Sequence, residues 1–184
     1  SGHSNTAVGR NALDANTTGA SNVAVGYSAL GANTTAGSNI AVGYNSLATN
    51  TTGAANTALG HDTLVLNTTG TGNVAVGYLA LDSSTTASSN VGFGAQSLQA
   101  ATTGPNNLAV GTYSGLHLTT GAQNILVGMY AGNGLTTGTY NVYVGYNAQP
   151  SAVAAQNEIV VGTGNHTGKG NSTGFIAPGT GPVY

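Results

Sequence analysis

Carboxylates are the first side chains to consider for chemistry in this 184-residue chain, and there are four: Asp14, Asp62, Asp82 and Glu158. Glycosidic hydrolysis needs two carboxyl groups about 5 to 9.5 Å apart. Asp14 and Asp82 hold the same position of a seventeen-residue repeat but lie four repeats apart, or about 19 Å at one strand spacing per repeat. The other two occupy distant repeats, so only a pair formed between subunits is left. We therefore predict that the protein is not an enzyme.

Histidines are the second group. His3, His61, His117 and His166 hold unrelated repeat positions with no second ligand near them, which favours surface or packing roles. A threefold assembly could still bring three copies of one histidine to its axis, and His166 is the residue to check. Calcium sites need turns rich in Asp, whereas the turns here contain Asn, Thr and Gly. We expect no metal and no cofactor.

Tyrosines are the third group, because an aromatic ring combines a flat apolar face with a polar hydroxyl. Four of them follow a recurring glycine: Tyr27, Tyr44, Tyr78 and Tyr146. Stacked rings would form a ladder between repeats or fill a subunit contact, and alternatively they would offer faces to sugar rings. We predict receptor contact beyond about residue 111, by Tyr113, Tyr130, Tyr140, Tyr143 and Tyr146.

The later repeats also differ in their leucines. Gly115 and Gly132 replace a leucine that recurs earlier in the chain. Leu116, Leu118 and Leu135 are expected to enlarge the loops there. This change indicates a distal tip that differs from the shaft.

The composition limits the possible partners. Charged residues make up 3% of the chain and apolar residues 40%, against about 25% charged residues in typical domains. The apolar content argues against disorder. Two basic residues give no electrostatic footprint for nucleic acid. There is no cysteine and no run approaching 18 apolar residues, so we expect neither disulfides nor membrane insertion.

A period of 17 residues organises the whole chain. Asparagine recurs nine times at this spacing from Asn5 to Asn141, a glycine follows four residues later each time, and Glu158 takes the tenth asparagine position. Stacked asparagines can satisfy buried backbone groups. The predicted structural columns include Asn22, Asn39, Asn56, Asn73, Gly26, Gly43, Gly60 and Gly77. Glycosylation sequons occur at Asn16, Asn33, Asn50 and Asn67, where turn chemistry is the favoured explanation.

The residues between asparagine and glycine predict a short strand. The first and third are β-branched or large, and the second is small in seven of nine repeats, a period of two. A second short strand is expected in segments such as "YSAL". One such unit is too small to bury a core, so the repeats must stack. We predict an all-β parallel β-solenoid with 17-residue coils, neighbouring coils pairing about 4.8 Å apart.

Alternation within the strand also bears on assembly. We expect Val8, Val25 and Val42 to face the core, and the alanines at 7, 24, 41, 58, 75 and 109 to face outward. An exposed apolar stripe along a rod favours lateral association, and three copies close a ring by heterologous contacts. The predicted partner is therefore the chain itself, as a parallel homotrimer. A monomeric rod with solvated alanine is the alternative.

The repeats resemble a known pattern. "SNVAVGYSAL", "SNIAVGYNSL" and "GNVAVGYLAL" are similar to head repeats of trimeric autotransporter adhesins, whose Asn-x-Ala-Val-Gly core forms a left-handed β-roll with a shorter period. The longer form with "NTTG" turns is similar to bacteriophage tail-fibre repeats that precede a self-cleaving intramolecular chaperone, as is "NEIVVGTGNHTGKGNSTGFIAPGTGPVY".

This resemblance implies a homotrimeric fibre, extracellular or on the virion tail, that attaches to a host cell-surface glycan or protein. It also implies an organisation into a leader or cloning remnant at 1–4, a solenoid at 5–162, and an extended segment at 163–184 preceding a chaperone or tip absent from this chain.

Three other functions stay open. Ice-binding solenoids are also flat, Thr-rich and poorly charged, although alternation sends the adjacent threonines of each "TT" pair to opposite sides, leaving at most one ordered row. The chain could instead be a passive fibre spacer, in which case deleting two whole coils would leave binding intact. A bacterial surface adhesin head is the third.

Overall fold

The computed structural model describes residues 2–162 and 164–177. These residues form eleven strands and no helix, so the described chain contains no helix of the length and apolarity needed to span a membrane. The strands are β1 Thr6–Val8, β2 Val23–Val25, β3 Ile40–Val42, β4 Thr57–Leu59, β5 Val74–Val76, β6 Val91–Phe93, β7 Leu108–Val110, β8 Ile125–Val127, β9 Val142–Val144, β10 Ile159–Gly162 and β11 Gly174–Ala177. They lie in one sheet in chain order.

The register of this sheet follows the sequence period. Ala24 pairs with Ala41 in a parallel arrangement, and the offset of 17 residues holds up to the pairing of Val142 with Ile159. The predicted parallel β-solenoid is thereby confirmed. The last coil is shorter, since Ile159 pairs with Gly174, so the segment predicted as extended contains one more strand. Residues 1, 163 and 178–184 lie outside the described residues.

The rest of each coil consists of turns, and the predicted second strand is wrong. In the segment from Tyr27 to Leu30, Ser28 and Leu30 have φ values of 53° and 50°. Such values belong to the left-handed region and do not occur in a strand. The leucine side chain turns inward from this loop and is fully buried.

The orientation of the strand is opposite to the prediction. The alanines at 24, 41, 58, 75 and 109 are fully buried, whereas Val25 and Val42 lie partly exposed on the outer face. The physical reason is the thinness of the coil. Leucines at 30, 47, 64, 81 and 98 reach the interior from the opposite loop, and only a methyl group fits between them and the strand.

Asparagine side chains link the coils inside the solenoid. Oδ1 of Asn39 accepts the backbone N–H of Asn56 at 2.9 Å, and its Nδ2 donates to the carbonyl of Gly53 at 2.9 Å. The pattern runs from Asn5, which accepts from Asn22, to Asn141, which accepts from Glu158. These amides therefore satisfy the backbone just before each strand begins, where no sheet partner is available.

A second asparagine column, at the sequons, is also structural. Nδ2 of Asn50 donates to Oδ1 of Asn33 at 3.2 Å and to the carbonyl of Gly53 at 2.9 Å. Asn33, Asn50 and Asn67 are fully buried. The column ends where Ser84 takes the next position, and Oδ1 of Asn67 and Oγ of Ser84 have no hydrogen-bond partner.

The recurring glycines allow the backbones of adjacent coils to approach closely. Gly26, Gly43 and Gly60 each have φ of 138°, a conformation that L side chains rarely adopt. A Cβ at Gly43 would overlap the carbonyl oxygen of Gly60. The column therefore excludes every other residue on two independent grounds.

The C-terminal coils keep the same period but rearrange the core. Leu118 and Leu135 are fully buried in the second asparagine column, so they do not enlarge the loops as predicted. Leu126 takes the alanine position of β8 and is also buried. A Cβ at Gly115 would lie 2.6 Å from Cδ1 of Leu126, so the glycine makes room for the relocated leucine.

Candidate binding surfaces

The outer face of the strands is an extended apolar surface along the rod. Strands β1–β10 place twenty side chains on this face, two per strand, and none of them is buried. All but Thr6 and Thr57 are apolar. Exposed fractions reach 58% at Val8, which was predicted to face the core, and are 55% at Phe93 and 46% at Leu59. A straight apolar stripe of this length is unusual on a monomer and indicates a contact surface.

Aromatic side chains form a ladder beside this face. The rings of Tyr27 and Tyr44 stack with centroids 5.2 Å apart, Tyr44 and His61 follow at 4.9 Å, and His61 and Tyr78 at 5.7 Å. The guanidinium of Arg10 lies 5.9 Å from the centroid of Tyr27. His61 belongs to this column because it follows Gly60, as the tyrosines follow their glycines. The sequence contains this signal, but it does not emerge when the histidines are considered by themselves. We call this column the aromatic ladder; it consists of Arg10, Tyr27, Tyr44, His61 and Tyr78.

The predicted receptor-contact tyrosines divide into two groups. Tyr113 and Tyr130 stack at 5.1 Å, and Tyr146 meets Tyr130 edge-on at 6.3 Å. Tyr140 is 56% exposed on another column. Tyr143 is fully buried, so it has no surface for a receptor. Of the five predicted tyrosines, three therefore form a cluster of rings on the surface and Tyr140 lies apart from them.

Tyr143 instead belongs to a buried polar group at the end of the regular repeats. Its hydroxyl donates to Oε2 of Glu158 at 2.8 Å. The carboxylate also accepts the backbone N–H groups of Ser151 at 3.0 Å and Gly170 at 2.8 Å. Burial alone would raise the pKa of Glu158, but these hydrogen bonds outweigh it and hold that pKa below its usual value. Burial, together with the adjacent carboxylate, raises the pKa of Tyr143. This group ties the last coil to the array.

The remaining carboxylates and histidines are spread along the rod. Asp62 pairs with Nδ1 of His61 at 2.9 Å. Burial raises the pKa of Asp82, partly offset by hydrogen bonds from Ser83 and Gln99. His117 contacts the carbonyl of Asn133 at 2.9 Å. Within residues 2–162 and 164–177, no group of three or more His, Cys, Asp or Glu side chains could hold a metal ion.

Threonine pairs form two columns with different roles. The first threonine of each pair donates its hydroxyl to a carbonyl of the next coil, as Thr34 does to Thr51 at 3.1 Å. The second is exposed in every coil. This exposed column consists of Thr18, Thr35, Thr52, Thr69, Thr86, Thr103, Thr120 and Thr137. It is a single row.

Three comparisons with known proteins give no relative. No family model matches the chain, and neither does any curated protein or solved structure. The function therefore has to be argued from these surfaces.

Proposed function

We propose that this chain is a structural and host-attachment protein, the shaft of a homotrimeric fibre on a phage-like particle. The observation that carries the proposal is the apolar outer face of β1–β10, with eighteen apolar side chains out of twenty. Because this face runs parallel to the rod, copies that share an axis along the rod cover it in every coil. The left-handed course of the coils, implied by the resemblance to adhesin repeats, is part of the proposal.

The outward orientation of the larger side chains of the strands supports self-association over an isolated rod. The outward residues are Val, Ile, Leu and Phe and bury far more apolar area than the alanines would. Burying one such side chain contributes about 1.5–3 kcal/mol. The low charge of the chain, six charged residues in 184, leaves little electrostatic repulsion between copies. Three copies use heterologous contacts that close without leaving the stripe exposed.

The oligomeric mass in solution tests this assembly. Sedimentation equilibrium should give three times the mass of one chain. Val42→Lys with Val76→Lys places charges on the outer face, so it should yield monomers with unchanged circular dichroism. Thr52→Lys with Thr86→Lys, on the exposed threonine column, is the matched control and should stay trimeric. A monomeric wild type, or a trimeric V42K/V76K variant, would overturn the assembly.

The attachment role is tested on the later coils. Tyr113 and Tyr130 have φ values of 60° and 62°, and Asn147 adopts 52° in the same column. Tyr113→Asn with Tyr130→Asn therefore removes the rings without straining the backbone. We expect particles or purified fibre carrying these changes to adsorb to host cells at least tenfold less. Unchanged adsorption would remove these rings from the proposal, and a wild type that adsorbs to no cell would remove the attachment function.

Ice binding is the second candidate, favoured by the straight column of eight exposed threonines. One row of hydroxyls, spaced by the strand separation, can match an ice lattice in one dimension only. The hydroxyls of the other threonine in each pair already donate to backbone carbonyls. A thermal-hysteresis measurement separates the two functions. The attachment proposal predicts no hysteresis, and a clear hysteresis that disappears in Thr52→Lys with Thr86→Lys would favour ice binding.

A further inference from the structure

A shallow groove runs along the first four coils beside the aromatic ladder. One wall is the column of Asn11, Ser28 and Asn45, and the floor is formed by Gly31, Ala48 and Val65. The floor column carries small residues, Gly31 and Ala48, in the two middle coils, between Asp14 and Val65. Two coils beyond Val65, Gln96 and Gln99 occupy the wall and floor columns, and Nε2 of Gln96 donates to Oε1 of Gln99 at 2.7 Å. This amide pair bridges the two columns and closes the groove.

The wall of the groove offers unused hydrogen-bonding groups. No side-chain hydrogen bond engages Asn11, Ser28 or Asn45 within the described part of the chain. Because these residues share one column, they present amide and hydroxyl groups at regular steps of about 4.8 Å along a straight line. A ligand that matches them must repeat its own polar groups along its length.

The first three ladder residues border the same wall, since Arg10, Tyr27 and Tyr44 each directly precede a wall residue in the chain. The rings of Tyr27 and Tyr44 stack on each other, and these two residues are 40% and 46% exposed. The surface thus combines apolar ring edges, small apolar floor residues and neutral hydrogen-bonding groups. Asp14, at one end, contributes the single carboxylate of the groove lining.

The chemistry of this surface selects among possible ligands. Arg10 is the one basic residue beside the groove and Lys169 the only other in the chain, and the lining also contains the carboxylate of Asp14, so a polyanion finds no cluster of cationic partners. An extended peptide that binds by strand addition needs an open strand edge, but the strands run across the rod and their open edges are at its two ends. A neutral linear glycan has repeating hydroxyls and apolar ring faces and needs neither charge nor a strand edge.

We infer that this groove is a binding site for a neutral linear glycan, contacted by Asn11, Ser28 and Asn45 and flanked by Tyr27 and Tyr44. The inference rests on the proposed attachment function and deepens it by naming a ligand class and a second surface, distant from the tyrosines of the later coils. Hydroxyls of successive sugar units bond to the wall column. Their apolar faces lie over Ala48 and Val65.

The test fills the groove without disturbing the core. Ala32 and Ala48 are half-buried in the groove lining, so Ala32→Gln with Ala48→Gln imitates the closure made by Gln99. Ala100→Gln is the matched control, because Ala100 occupies the same column as Ala32 four coils away, outside the groove. Tyr44→Ala removes a ladder ring at a column where Ala95 occurs naturally.

The readout is calorimetric titration of the full chain with neutral linear oligosaccharides of four to six units, and with an acidic polysaccharide as comparison. Wild type and A100Q should bind a neutral oligosaccharide equally, and A32Q/A48Q and Y44A should bind at least tenfold more weakly. Wild type that binds none of the neutral probes, or A32Q/A48Q that binds as well as wild type, would overturn the inference. So would an A32Q/A48Q variant that loses its oligomeric state, because the groove would then be a subunit contact.

Cell adsorption measured in parallel separates this inference from the function on which it rests. Wild type that adsorbs to host cells but binds no neutral glycan leaves the attachment function standing and overturns the groove. Wild type that binds glycan in the groove but adsorbs to no cell leaves the groove standing and overturns the attachment function.

Discussion

The backbone N–H of Asn39 donates a hydrogen bond to Oδ1 of Asn22, one coil earlier, at 2.9 Å. Nδ2 of Asn22 donates in turn to the carbonyl of Ala36 at 2.9 Å. Both asparagines are fully buried. One side chain thus satisfies a donor on the next coil and an acceptor from the turn that precedes it, and the fixed length of the repeat follows from this double requirement.

Replacing one member of this column should destabilise the array locally. Asn39→Ala leaves the N–H of Asn56 buried without a partner and removes one of the two hydrogen bonds to the carbonyl of Gly53, which keeps the one from Nδ2 of Asn50. The orphaned N–H costs about 1–3 kcal/mol and the lost hydrogen bond to Gly53 about 0.5–1.5 kcal/mol, so we expect the free energy of unfolding to fall by about 2–4 kcal/mol in urea denaturation. Asn45→Ser is the control, because Ser28 takes the same positive-φ position, and it should change stability by less than about 0.5 kcal/mol. Equal effects of the two variants would contradict this role for the column.

The period and the register could be predicted from the sequence because a buried asparagine and a glycine without room for Cβ tolerate no drift. The orientation of the strand could not. Alternation identifies two faces of Val23–Val25 but not which of them is inside, and the general rule that larger apolar residues are buried pointed the wrong way. The deciding quantity is the thickness of the coil, which depends on Leu30 entering from the opposite loop.

The groove and the ladder were harder to predict for a different reason. Both depend on residues that share a column while lying 17 positions apart, and their chemistry appears only when unlike types are aligned, as with His61 between Tyr44 and Tyr78. The burial of Tyr143 depends on Gly132, since a Cβ there would lie 3.2 Å from the Tyr143 ring. An alignment of the repeats column by column shows which residues share a column, whereas inspection of the residues one after another along the chain does not.

Two glycine substitutions should differ sharply. Gly43→Ala meets both a φ of 138° and an overlap with the backbone of Gly60, so we expect a loss of about 2–6 kcal/mol or failure to fold. Gly72→Ala meets nothing closer than Oγ of Ser89 at 3.8 Å, and Ala55 already adopts φ of 59° in that column. Thermal denaturation followed by circular dichroism should show Gly72→Ala close to wild type. Similar melting temperatures for both variants would refute the close-approach explanation.

The relocated core of the later coils predicts energetic coupling between Gly115 and Leu126. Gly115→Ala places a methyl group 2.6 Å from Cδ1 of Leu126, and we expect it to cost about 1–3 kcal/mol by overpacking. Leu126→Ala should cost about 2–5 kcal/mol by leaving a cavity. In the double variant the contact with Leu126 is gone and only Cδ2 of Leu98, at 2.9 Å, stays close to the new methyl group, so the loss of stability should be smaller than the sum of the two single losses by about 0.5–3 kcal/mol. Strict additivity in urea denaturation would show that the two positions do not share space.

The buried carboxylate of Glu158 predicts a dependence of stability on pH. Because its pKa is lowered in the folded protein from an ordinary value of 4.5, its contribution is fully present above that pH and is lost as the pH falls through the folded pKa. Glu158→Gln should therefore lower the free energy of unfolding at pH 7 by about 1–3 kcal/mol, since a neutral amide accepts hydrogen bonds from Tyr143 and Gly170 more weakly. The difference between variant and wild type should shrink when denaturation is repeated below pH 4.5.

Asp14→Asn, at an exposed site, is the control for a general effect of removing one negative charge. Two outcomes would show that the charged carboxylate does not hold the last coil. The difference in free energy of unfolding between Glu158→Gln and wild type could stay constant down to about pH 3, or it could equal the difference measured for Asp14→Asn.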